Sequence, residues 1–125
     1  MEENKRIPYA TWKVGDEEYK LKLTTSVIVK LEKELKTNLL NLVSGNNIPA
    51  LVLMLKVTHG AMLKYHHGIK LEDVENMFDT YVDEGGSQTT FMTDVFLPIY
   101  QASGFFSAQM EGNMTKQLEE VKEQL

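Results

Sequence analysis

Residues 49–68 read PALVLMLKVTHGAMLKYHHG, and this stretch decides the fold. It predicts a helix over residues 49–67, because proline suits the first helical position and the final glycine is a typical stop. The first part, residues 50–55, is apolar on every side, which is typical of a helix surrounded by its neighbours. We therefore expect this helix to form the centre of the domain. Gly60 within it indicates either the close approach of another backbone or a kink.

The residues before this helix predict a β-hairpin over residues 9–23. In the second arm, large apolar residues alternate with Lys20 and Lys22, the period-two pattern of a strand with one solvated face. Gly15 and Asp16 form the predicted turn, with a two-residue extension as an alternative. A lone hairpin is marginally stable in water, so we expect it to pack on the helices.

Two further helices flank the central one in sequence. An amphipathic helix is expected over residues 25–36, capped by one of the hydroxyl residues at 24–26 and closed by Asn38. Another is expected over residues 71–84, with apolar residues on one face and acidic residues on the other.

A fourth helix is expected over residues 87–103, with Ser87 as its N-cap. Pro98 should kink or break this helix near Phe96, because proline lacks the N–H that an α-helix uses. The predicted fold class is mainly α with a short N-terminal β-hairpin, an α+β fold built as a compact bundle of about four helices.

The composition is that of one ordinary globular domain. The chain has 125 residues, of which 42% are hydrophobic and 25% are charged, so one core is expected. Residues 1–106 are the predicted domain, and residues 107–125 a flexible or partly helical tail. With no cysteine, disulfides, thiolate nucleophiles and sulfur-based metal sites are excluded. No stretch suits a membrane span or a secretory leader, so a cytoplasmic protein is expected.

Charge is divided unevenly along the chain. Residues 1–70 carry 11 basic and 7 acidic side chains, whereas residues 71–125 carry 2 and 11. This distribution offers no concentrated basic face and argues against general nucleic-acid binding. It favours protein partners instead. It also suggests weak head-to-tail self-association, in which the basic hairpin and first helix of one copy meet the acidic third helix of the next, with ion pairing inside one molecule as the alternative.

No constellation of residues predicts catalysis. His59 and His66 lie seven residues apart on the predicted central helix, too far apart for one metal ion, and surface or helix-end roles suit them better. The acids of the third helix have the spacing of a solvated stripe rather than that of a calcium-binding loop. Neither a nucleophile elbow nor a phosphate-binding glycine loop occurs. We therefore predict no catalytic residue, no cofactor and no metal ligand.

Two regions are candidates for partner binding. The acids along one side of the third helix suit a basic surface on a partner. An aromatic pair near the end of the domain and regularly spaced apolar residues in the tail, including two methionines, suit an adaptable binding surface. The predicted partner-binding residues are Glu72, Glu75, Asp79, Phe105, Phe106, Met110, Met114, Leu118 and Val121.

Three stretches of the sequence resemble a known family. They are residues 21–43, LKLTTSVIVKLEKELKTNLLNLV; residues 48–86, which contain YHHG and LEDV; and residues 97–106, LPIYQASGFF. Their order is similar to that in tail assembly chaperones of long-tailed phages and prophages of Gram-positive bacteria, and in tail-assembly proteins of gene transfer agents. The resemblance covers residues 9–106. It departs at Lys70, where a Thr or Ser cap is expected.

The resemblance implies a small, non-catalytic chaperone that coats the tape-measure protein, helps to recruit tail-tube subunits and leaves before the virion is complete. It implies a role in the host cytoplasm, and such families often make a C-terminally extended product by translational frameshifting. Two other classes compete with this one: a small phage adaptor that docks on a host protein, and a metal-dependent enzyme that uses the histidines. A gene position between the major tail gene and the tape-measure gene would favour the chaperone.

Overall fold

Two antiparallel strands begin the fold, β1 (Ala10–Val14) and β2 (Glu17–Leu21). They are seen in a computed structural model that describes residues 6–45 and 47–107. The last residue of β1 pairs with the first residue of β2, so the connection is a two-residue turn, Gly15-Asp16. The first of these has a φ of +62°, which glycine adopts without strain. The two-residue turn is therefore confirmed, and the predicted alternative with a two-residue extension is not seen.

Helical segments make up most of the remaining described chain. In order they are α1 (Thr25–Leu35), a 3-10 turn (Leu39–Leu42), α2 (Leu51–Met62), α3 (Leu71–Asp83), α4 (Gln88–Phe91), a π-helical turn (Met92–Phe96) and α5 (Leu97–Ala102). The last three follow one another directly and together correspond to the predicted fourth helix. The predicted fold class, an α+β fold with an N-terminal hairpin and about four helices, is confirmed.

The end of α1 differs from the prediction. The helix ends at Leu35, and Lys36 takes the left-handed conformation with a φ of +55°. Asn38, the predicted closing residue, is extended and precedes the 3-10 turn. The Leu39 N–H donates to the Glu32 carboxylate at 2.9 Å, which fixes the change of chain direction. This bond between residues seven apart explains why the reversal occurs earlier than the sequence suggests.

Helix α2 is shorter and less enclosed than predicted. It covers residues 51–62 rather than 49–67, and Pro49 lies before its N-cap residue. The expectation that residues 50–55 are surrounded on every side is wrong, because Val52 is 58% exposed. Burial is densest in the second half of α2, although Met54 and Leu55 in the first half are also buried. An open groove lies between the first turns of α2 and α3.

Pro98 is accommodated by a change of helix type. In the preceding π-helical turn, the Leu97 N–H donates to the Met92 carbonyl, five residues back. A wider turn at this point avoids the clash between the proline ring and the preceding carbonyl. The predicted kink or break near Phe96 is thus replaced by a π-helical turn. Ser87 caps the segment as predicted, since its hydroxyl accepts the Thr90 N–H at 3.1 Å.

The core is organised around Trp12, which is 1% exposed. Its ring makes edge contacts with Phe91 at 5.1 Å and Tyr81 at 5.9 Å between centroids, and Phe78 contacts Phe91 at 5.3 Å. Such edge-to-face pairs add to the stabilisation from burial alone. Buried residues of the hairpin and of the helical segments form one cluster. The hairpin therefore packs on the helices, as predicted.

The outer edge of β2 is closed by groups from far along the chain. The Lys20 N–H donates to His66 Nε2 at 3.1 Å, and the Lys22 N–H donates to a carbonyl of α2 at 2.9 Å. Just beyond the strand, the Leu23 N–H donates to Ser103 Oγ at 2.9 Å. An open strand edge would be a template for pairing with another chain. These bonds remove that template on this side of the hairpin.

Candidate functional site

A groove between α2 and α3 is the candidate functional site. It encloses about 290 Å³. Its walls are mainly apolar, and its rim carries Glu75 and Asp79, two of the predicted partner-binding residues. We call it the acidic groove, and it is lined by Leu51, Val52, Leu55, Leu71, Glu75, Phe78 and Asp79.

One exposed valine lines the acidic groove, and a second lies on the same face of α3 as the two carboxylates of the rim. Val52 of α2 is 58% exposed and Val82 of α3 is 44% exposed. Glu75, Asp79 and Val82 are spaced i, i+4, i+7, so they share one face of α3. Exposed apolar side chains rimmed by charge are typical of protein interaction sites. The groove can therefore take apolar side chains of a partner while its carboxylates attract neighbouring cations.

The sequence of α3 explains how the two acids reach the rim. Val74 and Phe78 are buried in the core, which turns the charged face of the helix outward. At the helix start the Lys70 N–H donates to the Asp73 carboxylate at 2.9 Å. Asp73 thus satisfies a backbone donor that would otherwise lack a partner, so the helix begins without the expected Thr or Ser cap. Residues 71–95 contain no Lys or Arg that could neutralise the rim locally.

A second groove of about 290 Å³ lies between α1 and α2. Its charged lining is of both signs, with Lys30 and Lys56 beside Glu34. His59 also lines it. Because the charges are mixed, this groove does not select one charge class of partner as the acidic groove does.

Gly60 of α2 packs against side chains of α1. A Cβ atom at this position would lie 2.9 Å from Val27 Cγ1 and 3.0 Å from Leu31 Cδ1. Such separations are shorter than an ordinary contact of about 3.5–4.0 Å between carbon atoms. The predicted close approach of another backbone is therefore wrong in its partner, because side chains of α1 make the contact.

The histidines have structural contacts. His59 Nε2 lies 2.8 Å from the Ile69 carbonyl oxygen, and the His66 ring accepts the Lys20 N–H while packing edge-on against Tyr19. His66 lies beyond the end of α2, so the predicted placement of His59 and His66 on one helix is wrong. Among the described residues, no three His, Asp or Glu side chains are grouped so that they could hold a metal ion.

Glu84 has a role that the sequence analysis missed. Its Oε1 accepts the N–H of Gly15 in the hairpin turn at 2.9 Å, which ties the end of α3 to the hairpin. A carboxylate at a helix C-terminus is unfavourable towards the helix dipole. This unfavourable position of Glu84 is the feature of the sequence that could have indicated a contact with another part of the chain.

Two tyrosines have perturbed acidity. Burial raises the pKa of Tyr100, and the Glu32 carboxylate raises it further. Burial also raises the pKa of Tyr81, against a smaller lowering by its hydrogen bond with Thr90. The Tyr100 hydroxyl donates to the Leu39 carbonyl at 2.7 Å in the buried interior, so its proton is held for a structural bond.

The other predicted partner-binding residues lie away from the acidic groove. Glu72 is exposed on the outer face of α3. Phe105 packs on Tyr100 with 4.5 Å between ring centroids, and Phe106 is half-buried against the core, with its carbonyl accepting a bond from Arg6. Met110, Met114, Leu118 and Val121 lie outside the described residues. Of the predicted partner-binding residues, Glu75 and Asp79 are thus the two that lie together at the acidic groove.

These features describe a small, mainly helical α+β domain with grooves on both sides of α2. Residues 6–124 match a family of unknown function, DUF6096. Because this match covers nearly all of the sequence, the chain belongs to that family. No curated protein and no solved structure matches the chain. Within residues 6–45 and 47–107, no helix combines the length and the apolar character needed to cross a membrane.

Proposed function

We propose that this protein is a tail assembly chaperone of long-tailed phages and prophages, and that it binds the tape-measure protein through the acidic groove. The observation that carries the proposal is the combination of apolar walls, two carboxylates at the rim and the exposed Val52. The sequence resemblance over residues 9–106 supplies the class of partner.

An amphipathic helix is the partner that fits this geometry. Such a helix can lay its apolar face in a hydrophobic groove, with anchors spaced three and four residues apart. Lys or Arg residues beside those anchors would meet Glu75 and Asp79 at the rim. The tape-measure protein, a long coiled-coil chain in the resembling systems, would present such a face repeatedly along its length.

Binding at a single groove is expected to be weak. Burying the exposed part of one valine contributes about 1 kcal/mol, and each solvated ion pair contributes less than about 1 kcal/mol. A long partner is therefore coated by many copies rather than held by one. Weak contacts also allow release when tail-tube subunits arrive.

This role requires no chemical step. The protein would work in the host cytoplasm, keep the tape-measure protein soluble, help to recruit tail-tube protein and be absent from the finished virion.

Co-expression with the long coiled-coil protein encoded beside this gene tests the proposal. We expect that protein to stay soluble only when the chaperone is present, and Val52→Glu to abolish the effect. Because Val52 is exposed, this variant should change the free energy of unfolding by no more than about 0.5 kcal/mol. Val29→Glu is the matched control, since Val29 is 45% exposed on α1, outside the acidic groove, and should keep the solubilising effect.

The proposal fails if the coiled-coil protein is equally soluble alone, or if Val52→Glu protects it as well as the wild type does. Recovery of one stoichiometric host protein from phage-free cells would favour the adaptor class instead.

A further inference from the structure

We propose that copies of this chain associate head to tail through two helix faces of opposite charge. One face belongs to α1 and the other to α3, and both are exposed to solvent. The inference does not rest on the proposed chaperone function, although Asp79 of α3 also lies at the rim of the acidic groove. We define the basic face as Val29, Lys33 and Lys36, and the acidic face as Glu72, Asp79 and Asp83.

The basic face has an exposed apolar centre. Val29 is 45% exposed, and Lys33 lies one turn further along the same side of α1, with Lys36 following at the helix end. The acids of α1 are directed elsewhere. Glu32 accepts the Leu39 N–H, and Glu34 lines the groove towards α2. The exposed surface of α1 therefore consists of Val29 with lysine side chains beside it.

The acidic face lies on the outer side of α3. Glu72, Asp79 and Asp83 are spaced i, i+7, i+11, which places them on one stripe of the helix, and all are exposed. This stripe is opposite the buried Val74 and Phe78. Beside it, Val82 is 44% exposed and offers an apolar contact. The two faces are thus complementary in charge, and each has one exposed valine.

The two faces cannot satisfy each other within one molecule. The inner sides of α1 and α3 both pack towards α2, as the contacts of Gly60 with α1 and the acidic groove with α3 define. Within the described part of the chain, no ion pair joins Lys20, Lys22, Lys30 or Lys33 to an acid of α3. The alternative that these lysines pair with α3 inside one molecule is therefore wrong. We therefore infer that each face binds the oppositely charged face of a second copy of this chain.

An interface between two different faces is heterologous. Each copy then keeps one free face, so the assembly grows with concentration rather than stopping at a dimer. Because both faces are solvated, salt screens the attraction over a distance of about 10 Å at 0.1 M and less at higher ionic strength. Association is expected to be weak and to depend on both concentration and salt.

Sedimentation velocity of the full chain tests this directly. In about 50 mM salt the average mass should rise with protein concentration, and in about 500 mM salt it should approach that of the monomer. Lys33→Glu and Asp79→Lys should each be monomeric alone. Mixed in equal amounts they should associate again, because each variant keeps the face that the other has lost.

Lys13→Glu is the matched control for charge. Lys13 is exposed on β1, and its replacement changes the net charge as Lys33→Glu does, so this variant should associate like the wild type. Unchanged urea midpoints, followed by Trp12 fluorescence, would show that all three variants fold. The proposal is overturned by a monomer at both salt concentrations, by equal disruption in Lys13→Glu, or by a mixture that stays monomeric. Lys33→Glu leaves the acidic groove intact, so loss of self-association in it does not alter the test of tape-measure binding.

Discussion

Replacing Gly60 by alanine should destabilise this protein, although alanine is the better helix former. Alanine is favoured over glycine inside a helix by about 1 kcal/mol. The added Cβ, however, would lie 2.9 Å from Val27 Cγ1 and 3.0 Å from Leu31 Cδ1, and overpacking of this kind costs about 1–3 kcal/mol. Taking the middle of that range, we expect the free energy of unfolding to fall by about 1 kcal/mol.

A second substitution should reverse the sign of this effect. Val27→Ala removes the Cγ1 atom and leaves space into which the flexible end of Leu31 can move. In that background, Gly60→Ala should raise the free energy of unfolding by up to about 1 kcal/mol. The double-mutant cycle should therefore show a coupling of about 2 kcal/mol between positions 27 and 60.

Urea unfolding followed by the fluorescence of Trp12, the single tryptophan, measures each free energy. Val29→Ala is the control background. It lies on the outer side of α1, and in it Gly60→Ala should remain destabilising. A stabilising Gly60→Ala in the wild type, with no coupling to Val27, would refute the close packing of α1 on α2.

Three further predictions concern local contacts. Lys36→Gly should raise the free energy of unfolding by about 0.5–1 kcal/mol in urea titrations, because Lys36 has a φ of +55°, whereas Lys33→Gly inside α1 should lower it by about 1 kcal/mol. The pKa of Tyr100 is raised above its ordinary 10.0, so the contribution of its protonated hydroxyl to stability is complete below pH 10.0 and is lost as the pH rises from there towards the folded-state pKa. Tyr100→Phe should therefore lose less stability than the wild type between about pH 10 and 11. His66→Leu should lower the urea midpoint by the equivalent of about 1 kcal/mol, because the Lys20 N–H loses its acceptor, and an unchanged midpoint would count against that bond.

Much of the fold could be predicted because local chemistry and burial agree there. The turn at Gly15 needs a positive φ, Ser87 caps the helix that it precedes, and α3 has its apolar residues at helical spacing. In each case the deciding interaction lies within a few residues along the chain. Such interactions are visible in a sequence.

The errors arise where distant residues decide the structure. Helix α2 stops early, and the turns after it place His66 against Lys20, 46 residues away in sequence. The exposure of Val52 could not be predicted, because a helix segment that is apolar on every side does not show which side its neighbours leave open. Pro98 signals a disturbance without specifying the π-helical turn that absorbs it.

The candidate site was predicted in part. The spacing of Glu75 and Asp79 placed both on one solvated face of α3, and this is correct. That Leu51 and Val52 of another helix stand across from them depends on how α2 and α3 pack, which no local pattern encodes. The predicted tail residues 110–121 lie outside the described residues and stay a prediction.

The closed edge of β2 has a consequence for folding during synthesis. The hairpin is synthesised before the helices of this domain, yet the residue that accepts the Lys20 N–H follows 46 residues later and the residue that accepts the Leu23 N–H follows 80 residues later. A hairpin alone is marginally stable, so it should gain lasting order only when nearly the whole domain has been translated. The hairpin is then made before the helices but gains its last contact after them, and a chain stalled before Ser103 would still lack the acceptor for the Leu23 N–H.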